Sequence, residues 1–274
     1  DENTTGSANT AVGSTALNSN TTASNNTAVG YASQAATTTG TDNVSVGSHS
    51  LDANTTGNDN TAIGDNALTA NTTAHFNSAL GSAALEANTT GANNTGLGYG
   101  ALNANTTADN NTAVGYKALL ANTTGTRNIA VGSGALQTNT TGGDNIGIGY
   151  DALNDVTTGT LNTAIGSYAG DSISTADANT VIGYLSGAAL TTGSYNVAVG
   201  RQALTTTTTV NDNVAVGNNA LRLNVTGASN TALGSSALDA NLASNNTAVG
   251  KSALAANTTG SENIAIGVLA LDAN

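Results

Sequence analysis

This chain contains no cysteine, no methionine and no tryptophan, one phenylalanine, and only five basic residues. Without cysteine there is no disulfide framework and no thiolate metal site. With aromatics at 3% of 274 residues, a thick globular core of large side chains is excluded. A thin core of Ala, Val, Ile and Leu remains open, as in narrow solenoids whose coils touch only their neighbours. Charged residues make up 8%, against about a quarter in ordinary domains. The surface must therefore be polar but mostly uncharged. The net charge of −12 argues against nucleic-acid binding, because Lys117, Arg127, Arg201, Arg222 and Lys251 cannot form a phosphate-tracking stripe. The same shortage argues against attraction to anionic lipid, and no apolar run is long enough for direct membrane insertion. The missing methionine, with residue 1 inside a repeat, leads us to expect an excerpt of a longer fibre.

What is present is one repeat. A glycine returns sixteen times, seventeen residues apart except for one sixteen-residue step: Gly13, Gly30, Gly47, Gly64, Gly81, Gly98, Gly115, Gly132, Gly149, Gly166, Gly183, Gly200, Gly217, Gly234, Gly250 and Gly267. Four positions before each stands an asparagine: Asn9, Asn26, Asn43, Asn60, Asn77, Asn94, Asn111, Asn128, Asn145, Asn162, Asn179, Asn196, Asn213, Asn230, Asn246 and Asn263. Self-similarity at a short fixed period marks a stacked architecture. The expected fold is all-β, a parallel β-solenoid of about sixteen 17-residue coils forming one domain over residues 1–274. At about 4.8 Å per coil, it would extend roughly 75 Å.

Within a coil, Asn-Thr-Ala-Val at 111–114 reads as a short strand, because β-branched residues suit a pleated backbone. The glycine after it supplies a backbone turn that other residues resist. An Ala-Leu segment follows, then an Asn-Thr-Thr turn or short polar strand. No ten-residue amphipathic stretch argues for helix. The aliphatic column before each glycine is expected to face inward with the leucines, leaving the Ala face against another chain or a second layer. The opposite assignment is the alternative.

The asparagine column reads as a structural ladder, since a carboxamide can donate and accept along a stack. Thr pairs at 55–56, 72–73, 89–90, 106–107, 123–124 and 140–141 also stack. They would suit an ice-binding face, or serve simply as solvent-facing turn residues. The pairs read as decaying after Thr157-Thr158, which argues against a surface selected for flatness. Of the seven tyrosines (Tyr31, Tyr99, Tyr116, Tyr150, Tyr168, Tyr184 and Tyr195), most follow the glycine. Packing or surface stacking is their simplest role, and a glycan-binding aromatic column is the alternative. No calcium-binding Gly-Asp ladder, nucleophile elbow, phosphate loop or paired-carboxylate motif is present. The position before the repeated Asn holds Asp42, Asp59, Asp144 and Asp212, but also Phe76, Arg127, Leu161 and Tyr195, so no carboxylate column is maintained. His49 and His75 occupy inequivalent positions and read as surface residues. No catalytic residue, metal site or cofactor is expected, and an enzyme is disfavoured.

Asn-Thr-Ala-Val-Gly at 111–115 and Asn-Ile-Ala-Ile-Gly at 263–267 resemble the coil signature of YadA-like head domains of trimeric autotransporter adhesins. The longer unit, with Tyr-x-Ala-Leu and Asn-Thr-Thr-Gly, is similar to repeats in phage tail fibres. The resemblance covers residues 9–271, although the coil is a few residues longer than is usual in YadA-like heads. It implies a left-handed β-roll associating as a homotrimer, and an extracellular adhesive shaft on a cell surface or virion. Partners would be copies of the same chain, as trimer or head-to-tail filament, with a host-surface or glycan receptor beyond them.

Overall fold

The computed structural model describes residues 2–272, among which there are sixteen three-residue strands and no helix. It divides into two compact units, one ending at Thr141 and the other starting at Gly142. The first holds β1 (Thr10–Val12), β2 (Thr27–Val29), β3 (Val44–Val46), β4 (Thr61–Ile63), β5 (Ser78–Leu80), β6 (Thr95–Leu97), β7 (Thr112–Val114) and β8 (Ile129–Val131). The second holds β9 (Ile146–Ile148), β10 (Thr163–Ile165), β11 (Thr180–Ile182), β12 (Val197–Val199), β13 (Val214–Val216), β14 (Thr231–Leu233), β15 (Thr247–Val249) and β16 (Ile264–Ile266). Each unit is a parallel β-solenoid in which every strand pairs with the equivalent strand of the next coil. Thr95, Gly96 and Leu97 lie opposite Thr112, Ala113 and Val114. In the second unit Thr231 pairs with Thr247, sixteen residues on. The missing residue is absorbed in the bend, where Asn230 reaches the Ala243 carbonyl thirteen residues away instead of fourteen.

The strands are one residue shorter than expected, because the asparagine stands just outside each of them. Their orientation is the reverse of the expected one. From β2 to β16 the middle residue is buried, as with Ala28, Ala113 and Ala215, while the flanking residues are half-buried or exposed. The Val/Ile/Leu column therefore faces outward and the alanines face inward. The reason is the width of the interior. Leu85, Leu102 and Leu119 come in from the turn segment and are fully buried. A methyl group placed on Gly96, at a strand centre, would already sit 3.4 Å from Leu85 Cγ and 3.1 Å from the Ala101 carbonyl oxygen. One leucine and one alanine fill the coil, and a larger strand-centre residue has no room.

The second unit contains the exception that tests this. Val181 stands at a strand centre, and the leucine positions on its own and the preceding coil are Gly187 and Gly170. A methyl group at Gly170 would lie 3.0 Å from Val181 Cγ2, and one at Gly187 would lie 2.6 Å from Val181 Cγ1. The valine, together with Ile173 and Leu190, thus occupies space that leucines take elsewhere. Val181→Ala is expected to cost roughly 1–3 kcal/mol through the cavity it leaves. Adding Gly170→Leu should recover part of that loss, because Leu153 already adopts the required positive φ of 54° one coil earlier; Ile173 Cδ1 and Leu153 Cδ2, 2.9 and 3.0 Å from the added Cβ, must also give way. A double-mutant cycle by chemical denaturation checks the coupling, and strictly additive losses would refute the exchange of volume.

The turn segment uses left-handed backbone at three non-glycine positions in most coils, for example Lys117, Leu119 and Arg127 at φ 54°, 53° and 58°. Such residues cost about 1 kcal/mol or more each. The conformation points successive amides to opposite neighbours. Lys117 N donates to Tyr99 O on the preceding coil at 2.9 Å, and Leu119 N to Ala135 O on the following one at 3.0 Å. Coil-to-coil hydrogen bonds thus continue where no strand exists.

Candidate functional site

The repeated asparagines are wired identically within each unit. Asn26 Oδ1 accepts the Asn43 backbone N–H at 2.9 Å, and Asn26 Nδ2 donates to the Gly40 carbonyl at 2.8 Å. In the second unit Asn162 Oδ1 accepts from Asn179 N at 3.0 Å, and Asn179 Nδ2 donates to Gly193 O at 2.9 Å. From Asn26 to Asn246 these side chains are buried, with Asn9 and Asn263 half-buried. Each one ties the entry of a strand to the bend of the following coil. Those from Asn26 to Asn246 are closed to solvent and present nothing to a ligand.

A second interior ladder escaped the sequence reading, which took Asn-Thr-Thr as a turn. Asn71 Nδ2 donates to Asn54 Oδ1 at 3.1 Å, Asn88 to Asn71 at 3.0 Å, Asn105 to Asn88 at 2.8 Å and Asn122 to Asn105 at 2.9 Å. The seventeen-residue recurrence of this asparagine was the available signal. In the second unit the column turns apolar at Val156, Ile173 and Leu190, all fully buried.

A third set of contacts caps backbone amides at the coil edge. Thr41 N donates to Asn58 Oδ1 at 2.8 Å, Asn58 N to His75 Nδ1 at 2.9 Å, and Ala92 N to Asp109 Oδ1 at 2.7 Å. His75 is therefore a cap, bonded through Nδ1. The Asp and Asn residues preceding the ladder asparagines serve backbone conformation: Asp42, Asp59 and Asn93 have φ of 60°, 56° and 59°, a region these residues tolerate.

Three features face solvent. The first is the outer side of the strands, with one column of Thr, Val, Ile or Ser and another of Val, Ile or Leu. In the first unit Val44, Val46, Leu80 and Leu97 are exposed, and in the second Ile148, Ile165, Val216 and Leu233. A shallow groove of about 240 Å³ lies here, lined by Thr61, Ile63, Ser78, Ala79, Leu80, Thr95, Gly96 and Leu97. It forms where Ser78 replaces the bulkier threonine found in the coils on either side.

The second feature is threonine. The first member of each pair is committed to the fold: Thr55 Oγ1 donates to Thr72 O at 3.1 Å, and Thr72 Oγ1 to Thr89 O at 3.2 Å. The second member is exposed, and its column does not decay as the sequence reading had it. It runs through Thr22, Thr39, Thr56, Thr73, Thr90, Thr107, Thr124 and Thr141 in the first unit, then Thr158, Thr175, Thr192, Thr209 and Thr226 in the second.

Tyrosines make the third feature, in pairs rather than a continuous column. Tyr99 and Tyr116 stack at 5.7 Å with Lys117 Nζ 5.1 Å from the Tyr116 ring. Tyr150 and Tyr168 meet edge to face at 5.3 Å. Neither a protein-family model, nor a curated protein, nor a solved structure matches this chain. The surfaces themselves therefore carry the functional argument.

Near Tyr150 and Tyr168 lie Asp151, Asp155 and Asp171. Partial burial, then the charges of Asp155 and Asp151, push the Asp171 carboxyl up to about 6. Asp151 likewise holds the Tyr150 phenol above its usual value, through its charge and a hydrogen bond. Among the described residues no group of three or more His, Cys, Asp or Glu side chains could hold a metal ion. The cluster has a consequence for stability. Asp171 binds its proton more tightly in the fold than in the unfolded chain, where its value is near the ordinary 3.8. Its contribution is thus fully present below about pH 4 and lost as the pH rises through about 6. Asp171→Asn should raise the melting temperature at pH 7.5 and change it little at pH 4. Equal shifts at both pH values would show that neither burial nor the neighbouring carboxylates disfavour the charged form of Asp171.

Proposed function

We propose that this chain is a segment of a non-enzymatic, extracellular structural and adhesive fibre, whose copies associate side by side through the outer face of the sheet. The supporting observation is that face: strand after strand presents a column of Val, Ile or Leu to solvent beside a mostly threonine column, with an apolar groove at Ile63, Leu80 and Leu97. Apolar surface arranged contiguously, rather than scattered, favours an interface. The interior contributes in another way. Its hydrogen-bonded ladders use the recurring asparagines for stacking, which leaves the coil surface to vary. A homotrimer or filament of such coils displays that surface from a cell or virion, with a host-surface or glycan receptor as the onward partner.

Analytical ultracentrifugation tests the assembly. The expected species is a trimer or larger at micromolar concentration. Leu80→Lys with Leu97→Lys should weaken association by about tenfold or more per side chain, given roughly 1.4 kcal/mol lost for each apolar contact. A compact monomer at tens of micromolar would overturn this reading.

The exposed threonine column favours a second reading, ice binding, because one hydroxyl and one methyl recur at each coil spacing of about 4.8 Å. Thermal hysteresis with faceted ice crystals is the expected result under that reading, and unshaped crystals would remove it.

A further inference from the structure

The second interior asparagine ladder is broken once within the first unit, at Thr37. Elsewhere in this column the carboxamide of one coil donates to Oδ1 of the coil before it, as Asn71 does to Asn54 at 3.1 Å. Asn20 follows the pattern on one side, donating to Asn3 Oδ1 at 3.2 Å and to Ala23 O at 3.2 Å. On the other side the pattern fails, because Thr37 has no carboxamide, its backbone N–H donates to Gln34 O at 3.2 Å, and its hydroxyl does not bond Asn20 Oδ1. Asn20 Oδ1 and Thr37 Oγ1 are both buried and both without a protein partner. The other interior threonine of this column, Thr207, behaves differently, because its Oγ1 donates to Asn224 O at 2.6 Å.

The surrounding coil is polar as well. Gln34 replaces the usual leucine, and Ser33, Ser45 and Ser50 replace alanines. Gln34 Nε2 donates to Thr27 O at 3.0 Å and to Ser45 Oγ at 2.9 Å, and Ser33 Oγ bonds Ser45 Oγ. Gln34 Oε1, three residues before Thr37 in sequence, is a third buried atom with no protein partner. Where most other coils place leucine and alanine beside hydrogen-bonded asparagines, this stretch thus gathers three orphaned oxygens. Leaving such groups unmet costs about 1–3 kcal/mol each. Buried waters meet that cost where a site is polar and offers two or more partners.

We propose that the coil interior between Asn20 and Thr37 is a binding site for an ordered water molecule, which donates to Asn20 Oδ1 and bonds Thr37 Oγ1. The water takes the place of the carboxamide that every intact rung of the ladder has. Asn20 also lines an open pocket with Asn3, Asn9 and Leu17, but it is 3% exposed and Thr37 is fully buried, so the water is expected to exchange more slowly than surface water.

The test is Thr37→Asn, which restores the rung, measured beside the unaltered chain by water-oxygen-17 magnetic relaxation dispersion. The unaltered protein is expected to hold one more long-lived water than Thr37→Asn, and Thr37→Asn is expected to melt higher. Equal water counts would overturn the proposal. Thr37→Val keeps the side-chain shape and removes the hydroxyl. A melting temperature for it at or above that of the unaltered chain would also overturn the proposal, whereas a drop of several degrees supports it. Because Asn already fills this position in the coils on both sides, the Thr37→Asn result does not depend on Thr37→Val folding.

Discussion

Gly64→Ala should abolish folding of the coils around it, while Gly267→Ala should be tolerated with a modest loss. Both glycines end a strand in the same backbone conformation, with φ of +137° and +130°. That conformation by itself costs a residue with a side chain about 1–3 kcal/mol. The two differ in what lies above them. A methyl group on Gly64 would lie 2.5 Å from the Gly81 carbonyl oxygen, 2.6 Å from its carbonyl carbon and 2.9 Å from Ser82 N. All three are backbone atoms and none can swing away. The carbonyl could retreat only by breaking the coil-to-coil hydrogen bonds that flank it, such as Gly81 N to Ile63 O at 2.8 Å. On Gly267 the same methyl would meet only Ala270 Cβ, at 3.9 Å. The conformational penalty is therefore common to both, and the clash belongs to Gly64 alone. Amide hydrogen exchange separates the outcomes. Gly64→Ala is expected to strip protection from the neighbouring strands β4 and β5, and Gly267→Ala to leave protection intact outside the last coil. Comparable effects at the two sites would mean that φ, and not the approach of the next coil, imposes the glycine.

That approach explains how far the sequence could be read. Period, strand position and the absence of helix followed from Asn and Gly returning in step, because parallel pairing at a fixed spacing lets only identical positions meet. The facing of the strand did not follow from hydropathy. Ala113 is less apolar than Val114, so hydropathy sends the valine inward; volume reverses it, since Leu119 already fills the interior. The signal was size invariance: strand centres are almost always Ala, Gly or Ser, and Val181 appears only where two leucines have become glycines. The left-handed leucines were illegible, because nothing in Leu favours that conformation and only stacked amides impose it. The exposed faces were partly legible. Thr56 and Thr73 were singled out correctly as columnar, but the first threonine of each pair is half-buried and bound to backbone, and the second is the exposed one. Nothing in the sequence separated these two roles, which depend on the direction of the bend.

Asn77→Asp should be among the most damaging isosteric changes in this chain at neutral pH, and should be partly rescued by acid. Asn77 is fully buried. Its Oδ1 accepts the Asn94 backbone N–H at 2.9 Å, and its Nδ2 donates to the Gly91 carbonyl at 2.9 Å. Asp keeps the shape and the first acceptor, but it replaces the donor with an oxygen facing another oxygen. A carboxylate there is taken out of water and set against a carbonyl dipole, so both desolvation and the carbonyl favour the protonated form. The carboxyl is thus held above its unfolded value. Stability is present below the unfolded value and lost as pH rises through the folded one. Protonated, the acid O–H can donate to Gly91 O and restore the bond. Asn77→Ala lacks this recovery. It leaves the Asn94 N–H unmet, at about 1–3 kcal/mol, at every pH, while Gly91 O keeps its bond from Asn88 Nδ2 at 2.9 Å. Denaturation curves for the two variants between pH 3 and pH 8 should therefore converge with the unaltered chain at low pH for Asp and stay apart for Ala. If Asn77→Asp were as stable as the unaltered chain at pH 7, the carboxamide would not be joining one coil to the next. The recurrence of asparagine at every turn would then need a cause outside the interior.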